Sequence, residues 1–371
     1  MKYFKHPYIL IFLIFLQALQ PLDAQKNNSK DETPEPDPHL SQKDNDYIDR
    51  QSSVFLDTVA ILLSAYPPVI HEGRERGYAK MLMDAVMHDQ YAAFRKPVKE
   101  FFHSRISWII GDLERTKVEK GAIIWKVYNM GFIVRTKSAT IAFDLVTGAS
   151  SESKGFTMSS DELGRLVRQC DVLFISHMHR DHAEKDVAEL FLSQGKPVVA
   201  PDQVWKDEKI YKKITHLQRI ADMNQKLGLP GGRTLNIVIY PGHQMSATDV
   251  NVSLVTTPEG ITFAHLGDQI NEGKFMIDFT WIDNVARNHN VDFMMPNCWT
   301  NDIDRIVRGF NPGLVFPGHE LELGHSVWDR VPFWGDNDYL GLKYTELKKS
   351  KYPVIVMLWG ESYHYYQKNK K

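Results

Sequence analysis

Apolar side chains in the first third of the chain recur at the spacing of amphipathic helices. Phe55 and Val59 begin one such segment, and the same spacing returns after residue 80 and again after residue 97. The Pro67-Pro68 pair ends the first segment, because proline lacks the N–H that a helix interior needs. The pattern predicts a helical N-terminal region over residues 51–118, whose methionine-rich apolar face packs in a core.

From residue 119 the pattern changes to short β-rich runs separated by turn residues. The first runs follow one another as hairpins, whereas the later ones alternate with helical segments. The spacing predicts helices over residues 160–169 and 183–194, and a mostly helical stretch over 203–228. The predicted strands are 122–128, 132–136, 140–144, 171–176, 198–200, 234–240, 250–257, 261–266, 291–295, 314–316 and 352–359. This order favours an α/β fold in which helices cover two mixed sheets.

The first 24 residues have the pattern of a secretory signal peptide. Lys2 and Lys5 precede an apolar core, and Ala24 ends a small-residue cleavage site. We therefore expect an exported protein, periplasmic or secreted, with no membrane span after cleavage. An uncleaved anchor is the alternative, although the apolar core is short for a span of about 20 residues. Residues 25–50 are polar, with prolines at alternate positions, and predict a disordered linker.

Composition narrows the class of protein. Hydrophobic residues make up 43% and charged residues 24%, with a formal net charge of −2, which is ordinary for a globular protein. The chain lacks the excess of basic residues that is typical of nucleic-acid-binding proteins, so we expect no nucleic acid as a partner. The chain has only two cysteines, Cys170 and Cys298, which excludes a disulfide scaffold. We expect Cys170 to pack as a small hydrophobe and Cys298 to lie near the site, and we leave open whether they form one bridge.

The richest stretch in potential metal ligands is SHMHRDH, residues 176–182, at the end of a predicted buried strand. In an extended segment His177 and His179 project to the same side, as two neutral imidazoles that suit a zinc-class cation. Asp181 and His182 follow as the chain turns away, and fit a second ion beside the first. Without a cation, these imidazoles would repel each other when protonated and leave polar atoms unpaired when buried.

Three later strand ends carry further side chains of the kind that bind metals. His243 follows one strand in a Pro-Gly-His segment, Asp268 follows a hairpin, and His319 repeats the Pro-Gly-His arrangement. The neighbouring glycines let the backbone turn sharply and approach closely. Each residue alone would be interpreted as an ordinary loop residue. Because loops at strand ends of layered α/β proteins converge to build sites, we expect these side chains to meet the histidine motif.

Together these residues resemble the metallo-β-lactamase superfamily over residues 119–371. The superfamily's five motifs are matched in order by Asp144, residues 177–182, His243, Asp268 and His319. The resemblance implies an α/β fold of the αββα four-layer sandwich type, with a two-metal site at one edge. The helical region before residue 119 lies outside the resemblance.

The resemblance also implies a ligand set for two zinc ions per chain. The first ion would be held by His177, His179 and His243, the second by Asp181, His182 and His319, and Asp268 would bridge both. Asp144 would lie behind the ligands and fix a histidine tautomer or the motif loop, with an ordinary turn aspartate as the alternative. Manganese or iron can occupy the same ligands.

The implied activity is hydrolysis by metal-bound hydroxide, which Asp181 would orient. In the family, a bridging aspartate such as Asp268 marks enzymes that act on phosphodiesters, thioesters and lactones, and the β-lactamases lack it. The Pro-Gly-His segments look most like the branch of the bacterial ascorbate-6-phosphate lactonase and the N-acylphosphatidylethanolamine phospholipase D. We expect a small-molecule or lipid-like ester substrate. The alternatives are an iron-dependent oxidoreductase of the same fold and a non-catalytic metal-binding scaffold.

A few further residues are weaker candidates. His325 could donate a proton to a leaving group, with a surface histidine as the alternative. His265 alternates along its strand and is expected to pack behind the ligands. Asn297, Trp299 and Trp334 could line a pocket, although core packing is the simpler interpretation for the aromatic rings. Side chains expected to be solvated are Glu320, Glu322, Lys368, Lys370 and Lys371.

Overall fold

The computed structural model describes residues 37–149, 155–244, 248–270, 273–300, 302–320 and 351–366. These residues all belong to one compact unit, Glu35–Lys371. The predicted signal peptide lies outside the described residues. So do four groups of predicted side chains: His325, Trp334, Glu322 and the basic tail Lys368, Lys370 and Lys371.

Two six-stranded sheets form the centre of the fold. The first sheet has the order β12-β1-β2-β3-β4-β5 and the second β11-β10-β9-β8-β7-β6. The strands are β1 Ala122–Lys126, β2 Phe132–Arg135, β3 Thr140–Phe143, β4 Val172–Phe174, β5 Val198–Val199, β6 Gln225–Gly228, β7 Thr234–Gln244, β8 Thr248–Thr256, β9 Thr262–His265, β10 Phe293–Met295, β11 Leu314–Val315 and β12 Ser362–Tyr365. Both sheets are mixed: their hairpins pair antiparallel, whereas β3 to β5 and β9 to β11 pair parallel.

The sheets pack face to face and bury a shared apolar layer. Phe143 and Phe174 of the first sheet meet Phe263 and Phe293 of the second in this middle core. The opposite face of each sheet is covered by helices in a core of its own. The described chain is therefore an αββα four-layer sandwich, as the sequence predicted.

The N-terminal region forms three helices, Gln42–Ala65, Arg74–Met87 and Lys96–Arg115. They pack on the outer face of the first sheet, where Phe102 and Ile106 share a core with Trp125. The first helix ends just before Pro67, as predicted. No helix among the residues described is both long enough and apolar enough to cross a membrane.

The first helix corrects the prediction of a disordered linker over residues 25–50. It begins at Gln42, inside that segment, where the Ser41 side chain caps it by accepting a hydrogen bond from the Asp44 N–H at 3.2 Å. Asn45 is buried beneath the preceding turn and donates to the Asp37 carbonyl at 3.1 Å. The cap and this buried amide extend the helix where the apolar pattern is weak.

The remaining helices cover both outer faces. The predicted helices over 160–169 and 183–194 are present as Ser160–Gln169 and Lys185–Ser193 on the first sheet. A reciprocal capping box between Ser159 and Glu162 begins the former. Short helices cover the second sheet at Phe279–Ile282, Val285–Asn288 and Ile303–Phe310.

Two predicted elements are wrong. Residues 203–228 contain only a short 3₁₀ helix, Lys209–Lys213, and then β6, which pairs with β7 across a turn at Gly231 and Gly232 with positive φ angles. The predicted strand over 352–359 makes a single bridge, Val315 to Val354, since Pro353 has no N–H to continue a ladder. The last strand is instead β12, which pairs with β1.

A buried ion pair ties the N-terminal helices to the C-terminal segment. The Arg76 guanidinium donates to both carboxylate oxygens of Glu361, at 2.7 and 2.8 Å, and to the Val356 carbonyl at 2.8 Å. Both side chains are buried. The helices are thus part of the main domain's packing.

Both cysteines are free and fully buried, so the bridge left open from the sequence is not formed. Burial raises the pKa of the Cys170 thiol to about 12 and that of Cys298 well above its usual value. A raised pKa keeps a thiol protonated at pH 8, and the thiolate is the reactive form. We expect negligible alkylation by iodoacetamide at pH 8 in the native protein and two labels per chain in denaturant, counted by mass spectrometry. Rapid native labelling of either thiol would contradict this.

Candidate metal centre

The predicted ligands converge at one edge of the two sheets. Asp144 follows β3, the histidine motif follows β4, Asp268 follows β9, and His319 follows β11. His243 corrects a detail of the prediction, because it lies inside β7 rather than past its end and is paired with Asp249 of β8. The loops after parallel strands of both sheets therefore build a single site.

Two overlapping groups of side chains have the arrangement of metal ligands. One contains His177, His182 and Asp268, and the other contains Asp181, His182 and His319, with the ligand atoms of each group within 4.8 Å of one another. The Asp268 Oδ2 atom lies 3.7, 3.3 and 3.2 Å from the Nε2 atoms of His177, His182 and His319. This carboxylate oxygen therefore occupies the centre of the cluster.

His177 is held as a neutral imidazole. Its ring is fully buried, and burial lowers the pKa to about 3. The Nδ1 atom lies 2.9 Å from the Ser176 hydroxyl. The Nε2 atom of His177 has no hydrogen-bond partner within the described part of the chain. A buried imidazole nitrogen without a partner is costly in an apolar setting, and a cation beside it would satisfy it.

Asp144 lies directly behind the histidine motif. It accepts hydrogen bonds from the Ser176 N–H at 2.7 Å, from the Ser176 hydroxyl at 2.6 Å and from His182 Nδ1 at 2.7 Å. Although burial opposes the shift, nearby His265 and His182 lower the pKa of Asp144. With the proton on Nδ1, the His182 lone pair is on Nε2, which faces Asp181 at 3.0 Å. Asp144 thus fixes both a tautomer and the motif loop.

Amide side chains hold the two acidic ligands. Asp268 accepts from the Gln244 amide at 3.0 Å and from the Asn297 amide at 2.8 Å. Asp181 accepts from the Asn129 amide at 2.7 Å. These hydrogen bonds fix the carboxylates with oxygens toward the histidines, a geometry that pre-organises them for a cation.

The electrostatics of the cluster suit divalent cations. Burial would raise the pKa values of Asp181 and Asp268, but the neighbouring imidazoles hold both well below their usual range. Against the effect of burial, the same carboxylates raise the pKa of His319 to about 10 and that of His182 well above its usual value. The carboxylates thus attract positive charge, which protonated imidazoles supply without a metal ion and which divalent cations can supply in their place. The residues present fit a metal centre.

His179 and His243 lie beside the cluster rather than in either compact group. The His179 ring is partly buried and packs edge-on against the His177 ring with centroids 4.6 Å apart. His243 Nδ1 lies 3.0 Å from both Asp278 carboxylate oxygens, and its backbone N–H donates to Gln269 at 2.9 Å. A proton on Nδ1 leaves the His243 lone pair on Nε2, which is the form that ligates zinc.

The Asp278 contact gives a direct prediction. Asp278 is buried and accepts from both His243 and the Gln269 amide. Asp278→Ala should weaken binding of the metal ion that the resemblance assigns to His177, His179 and His243 by about 10- to 100-fold, because the His243 ring loses the group that orients it. Competition against a chelator of known affinity measures the change. Asp283→Ala removes a nearby exposed carboxylate paired with Arg305 at 2.6 Å and is the matched control. Equal affinity in Asp278→Ala and wild type would contradict the assignment.

His265 is buried between the sheets rather than exposed to a ligand. Its ring stacks on Phe143 with centroids 4.9 Å apart, and its Nε2 donates to the Met130 carbonyl at 3.0 Å. The Gly267 N–H donates to the Nδ1 atom at 3.3 Å. Because both ring nitrogens are used, His265 supports the Asp268 turn from behind.

The structure adds residues that the sequence did not single out. Asn129, Gln244 and Asp278 each contact a predicted ligand through a hydrogen bond. Their partners are distant in sequence or lie in unrelated elements, so no local motif marks them. Of the predicted pocket residues, Asn297 contacts Asp268, and the Trp299 ring lies 4.4 Å from that of His319.

The prediction that Glu320 is solvated is wrong. Its side chain is buried, with only 2% of the residue exposed. Its carboxylate lies 3.4 Å from the ammonium of Lys126, which is fully buried as well. Charged residues are almost never buried without a partner, and here Lys126 and Glu320 are each other's partner in a buried ion pair. Either residue alone would be interpreted as a surface charge.

Comparisons with known proteins describe the fold alone. No family profile matches the chain, and no curated protein sequence matches it. Similar solved structures include Igni18, a metallo hydrolase from the archaeon Ignicoccus hospitalis, with 17% identity over 67% of this chain and 99% of that one at a TM-score of 0.46. The metallo-β-lactamase fold protein YhfI from Bacillus subtilis shares 13% sequence identity over 66% of this chain and 99% of its own, at a TM-score of 0.43. CmlA, a diiron β-hydroxylase from Streptomyces venezuelae, shares 13% sequence identity over 67% of this chain and 55% of its own, at a TM-score of 0.44.

Proposed function

We propose that the protein is a metal-dependent hydrolase with a binuclear centre that cleaves an ester-type bond in a phosphodiester, a lactone or an acyl ester. The observation that carries this proposal is the position of Asp268. Its Oδ2 atom is within 3.7 Å of the Nε2 atoms of His177 in one group of ligand atoms, of His319 in the other, and of His182, which the two groups share. A carboxylate in that position can be shared between two cations.

Zinc is the proposed metal, because imidazole and carboxylate ligands suit it, although manganese and iron accept the same ligands. When bound, a pair of divalent cations lowers the pKa of a shared water toward neutrality and polarises the substrate's carbonyl or phosphoryl oxygen. We assign the first ion to His177, His179 and His243, and the second to Asp181, His182 and His319.

The chain's own residues orient the reacting groups. Asp181 is held by the Asn129 amide at 2.7 Å, so its carboxylate has one fixed direction in the site. Asp268 is held from two sides by Gln244 and Asn297. Such pre-organised groups need little rearrangement during a reaction. His325, which lies outside the described residues, is the candidate from the sequence for donating a proton to the leaving group, with a surface histidine as the alternative.

We also propose that the protein acts outside the cytoplasm. The positive start and apolar core of the first 24 residues support this proposal. The substrate would then be a small or lipid-like ester that this compartment contains. N-terminal sequencing of the mature protein should find a start near Gln25, and an intact N-terminus on a membrane fraction would contradict cleavage.

The test of the activity uses metal-loaded protein and three chromogenic or titratable probes. Bis(p-nitrophenyl) phosphate, p-nitrophenyl butyrate and γ-butyrolactone represent the three bond types. We expect turnover of at least one probe that disappears on chelation and returns with zinc. His182→Ala is the matched inactive control, because it removes the imidazole common to both ligand groups. Inert protein that consumes oxygen when loaded with iron would instead support the oxidoreductase alternative.

A further inference from the structure

A buried lysine, Lys126, contacts two of the loops that surround the predicted ligands. The Lys126 ammonium is fully buried at the end of β1, donates to the Asn129 carbonyl, and lies 3.4 Å from the Glu320 carboxylate. It also lies 4.3 Å from the centre of the Phe132 ring. Removing a lysine charge from water is costly, so its retention at this position needs a reason beyond packing.

The lysine's two polar partners belong to the loops that carry ligands. Asn129 lies in the turn between β1 and β2, and its amide holds Asp181 at 2.7 Å. Glu320 directly follows His319. The Asn129 carbonyl that accepts from Lys126 also accepts from the His319 N–H, at 3.2 Å. One carbonyl thus joins the lysine to the backbone of a ligand.

The backbones of Asn129 and His319 both lie in the left-handed region. Asn129 has a φ of 50° and His319 a φ of 71°, which residues with a Cβ adopt uncommonly, although asparagine and histidine do so more readily than most. Such conformations cost free energy and persist only where the surroundings over-determine them. The space is also tight, because a Cβ built at Gly318 would lie 3.2 Å from the Lys126 ammonium and 2.6 Å from the Met130 sulfur.

We propose that Lys126 and Glu320 form a positioning pair that holds Asn129 and His319 in their left-handed conformations and thereby sets the affinity of the second metal ion. This proposal rests on the binuclear centre proposed above. Lys126 draws the Asn129 carbonyl inward, which orients the Asn129 amide toward Asp181 and the carbonyl toward the His319 N–H. Glu320 fixes the other side of the His319 loop through the same ammonium.

The pair acts on one side of the centre. The contacts of Asn129 run to Asp181 and His319, which are assigned to the second ion. The first-ion ligand His243 is supported by Asp278 and Gln269 instead. Loss of Lys126 should therefore weaken binding of the second ion, and loss of Asp278 should weaken binding of the first.

The experiment measures cobalt(II) binding by visible absorption under competition with a chelator. Wild-type protein should bind two ions per chain. Lys126→Met should weaken one equivalent by about 10- to 100-fold, as is typical when a group behind a metal ligand is removed, and leave the other unchanged. Combining Lys126→Met with Asp278→Ala should weaken both equivalents. No turnover is needed for this measurement.

A second variant keeps the test valid if Lys126→Met folds poorly with an unpaired buried carboxylate. Lys126→Met/Glu320→Gln removes both charges, which restores folding while the donor to the Asn129 carbonyl stays absent. It should show the same loss of one equivalent. Arg76→Met/Glu361→Gln removes a buried ion pair of the same kind whose side chains contact Tyr66, Val356 and Leu358, and it should bind cobalt like the wild type.

Each outcome separates the two proposals. Two cobalt ions in the wild type with unchanged affinities in both Lys126 variants would overturn the positioning pair alone. An equal loss in Arg76→Met/Glu361→Gln would also overturn it, because the effect would then be a general loosening of the fold. A wild type that binds one ion would overturn the binuclear centre, and the pair's assignment with it.

Discussion

Asp268→Ala is expected to leave at most one tightly bound metal ion per chain and to lower kcat/KM by at least about 100-fold. The imidazoles of His177, His182 and His319 surround the Asp268 Oδ2 atom, so its loss would remove the ligand that two ions would share. A metal ion that polarises a substrate contributes several kcal/mol to transition-state stabilisation, and each 1.4 kcal/mol or so is tenfold in rate. Metal analysis and steady-state kinetics on the probe that the wild type hydrolyses measure the two effects.

The control for Asp268→Ala removes a different carboxylate at the same edge of the second sheet. Asp249 lies in β8, pairs with Arg219 at 2.8 Å and belongs to neither compact ligand group. Asp249→Ala should keep both metals and most of the activity. Two retained ions and full activity in Asp268→Ala would show that this carboxylate does not bridge the metals.

Asp144→Asn is expected to weaken metal binding by about 10- to 100-fold although Asp144 is not itself a predicted ligand. Its carboxylate accepts from the Ser176 N–H, the Ser176 hydroxyl and His182 Nδ1. An asparagine amide in the same place has one acceptor oxygen and an NH₂ group that can only donate. When that group faces His182, the proton moves to Nε2, and the imidazole loses the lone pair that binds the metal.

The measurement for Asp144→Asn is cobalt affinity together with the imidazole tautomer from ¹⁵N chemical shifts of His182. Asp171 provides the control, because it accepts the Thr140 N–H at 2.8 Å from the opposite end of the same parallel strands. Asp171→Asn should change folding stability but not metal affinity. An unchanged affinity for cobalt in Asp144→Asn would contradict this prediction and favour the alternative that Asp144 is an ordinary turn aspartate.

Much of the fold and the ligand cluster could be predicted because their signals are local. His177, Asp268 and His319 each follow an apolar β-rich run and lie beside small or turn-forming residues, so sequence alone placed them at strand ends. Two mixed sheets with helices outside also followed from the order of hairpins and helices. The structure then brought five of the predicted ligands together in two groups.

The supporting residues could not be predicted because their partners are distant in sequence. Asn129 and Asp181 are 52 positions apart, and Arg76 and Glu361 are 285 apart. Lys126 lies in a strand and Glu320 in a loop, where charge normally indicates exposure. Only the fold shows that each is the other's partner.

The misassigned segments have a related cause. Residues 225–228 have no strong β signal of their own and form a strand because β7 offers a paired edge. The segment around Val354 has a strong β signal, but Pro353 prevents a continuous ladder with β11. The first helix begins at Gln42 because Ser41 caps it. In each case pairing or capping outweighed the apolar pattern.

The most direct test of the central claim is the metal content of the wild-type protein, by elemental analysis after purification without added metal and after dialysis against zinc. A binuclear hydrolase should contain about two zinc ions per chain in the loaded protein. One ion or none would contradict the shared position of Asp268. Two iron ions in the purified protein would contradict the zinc assignment and move the account toward the oxidoreductase alternative.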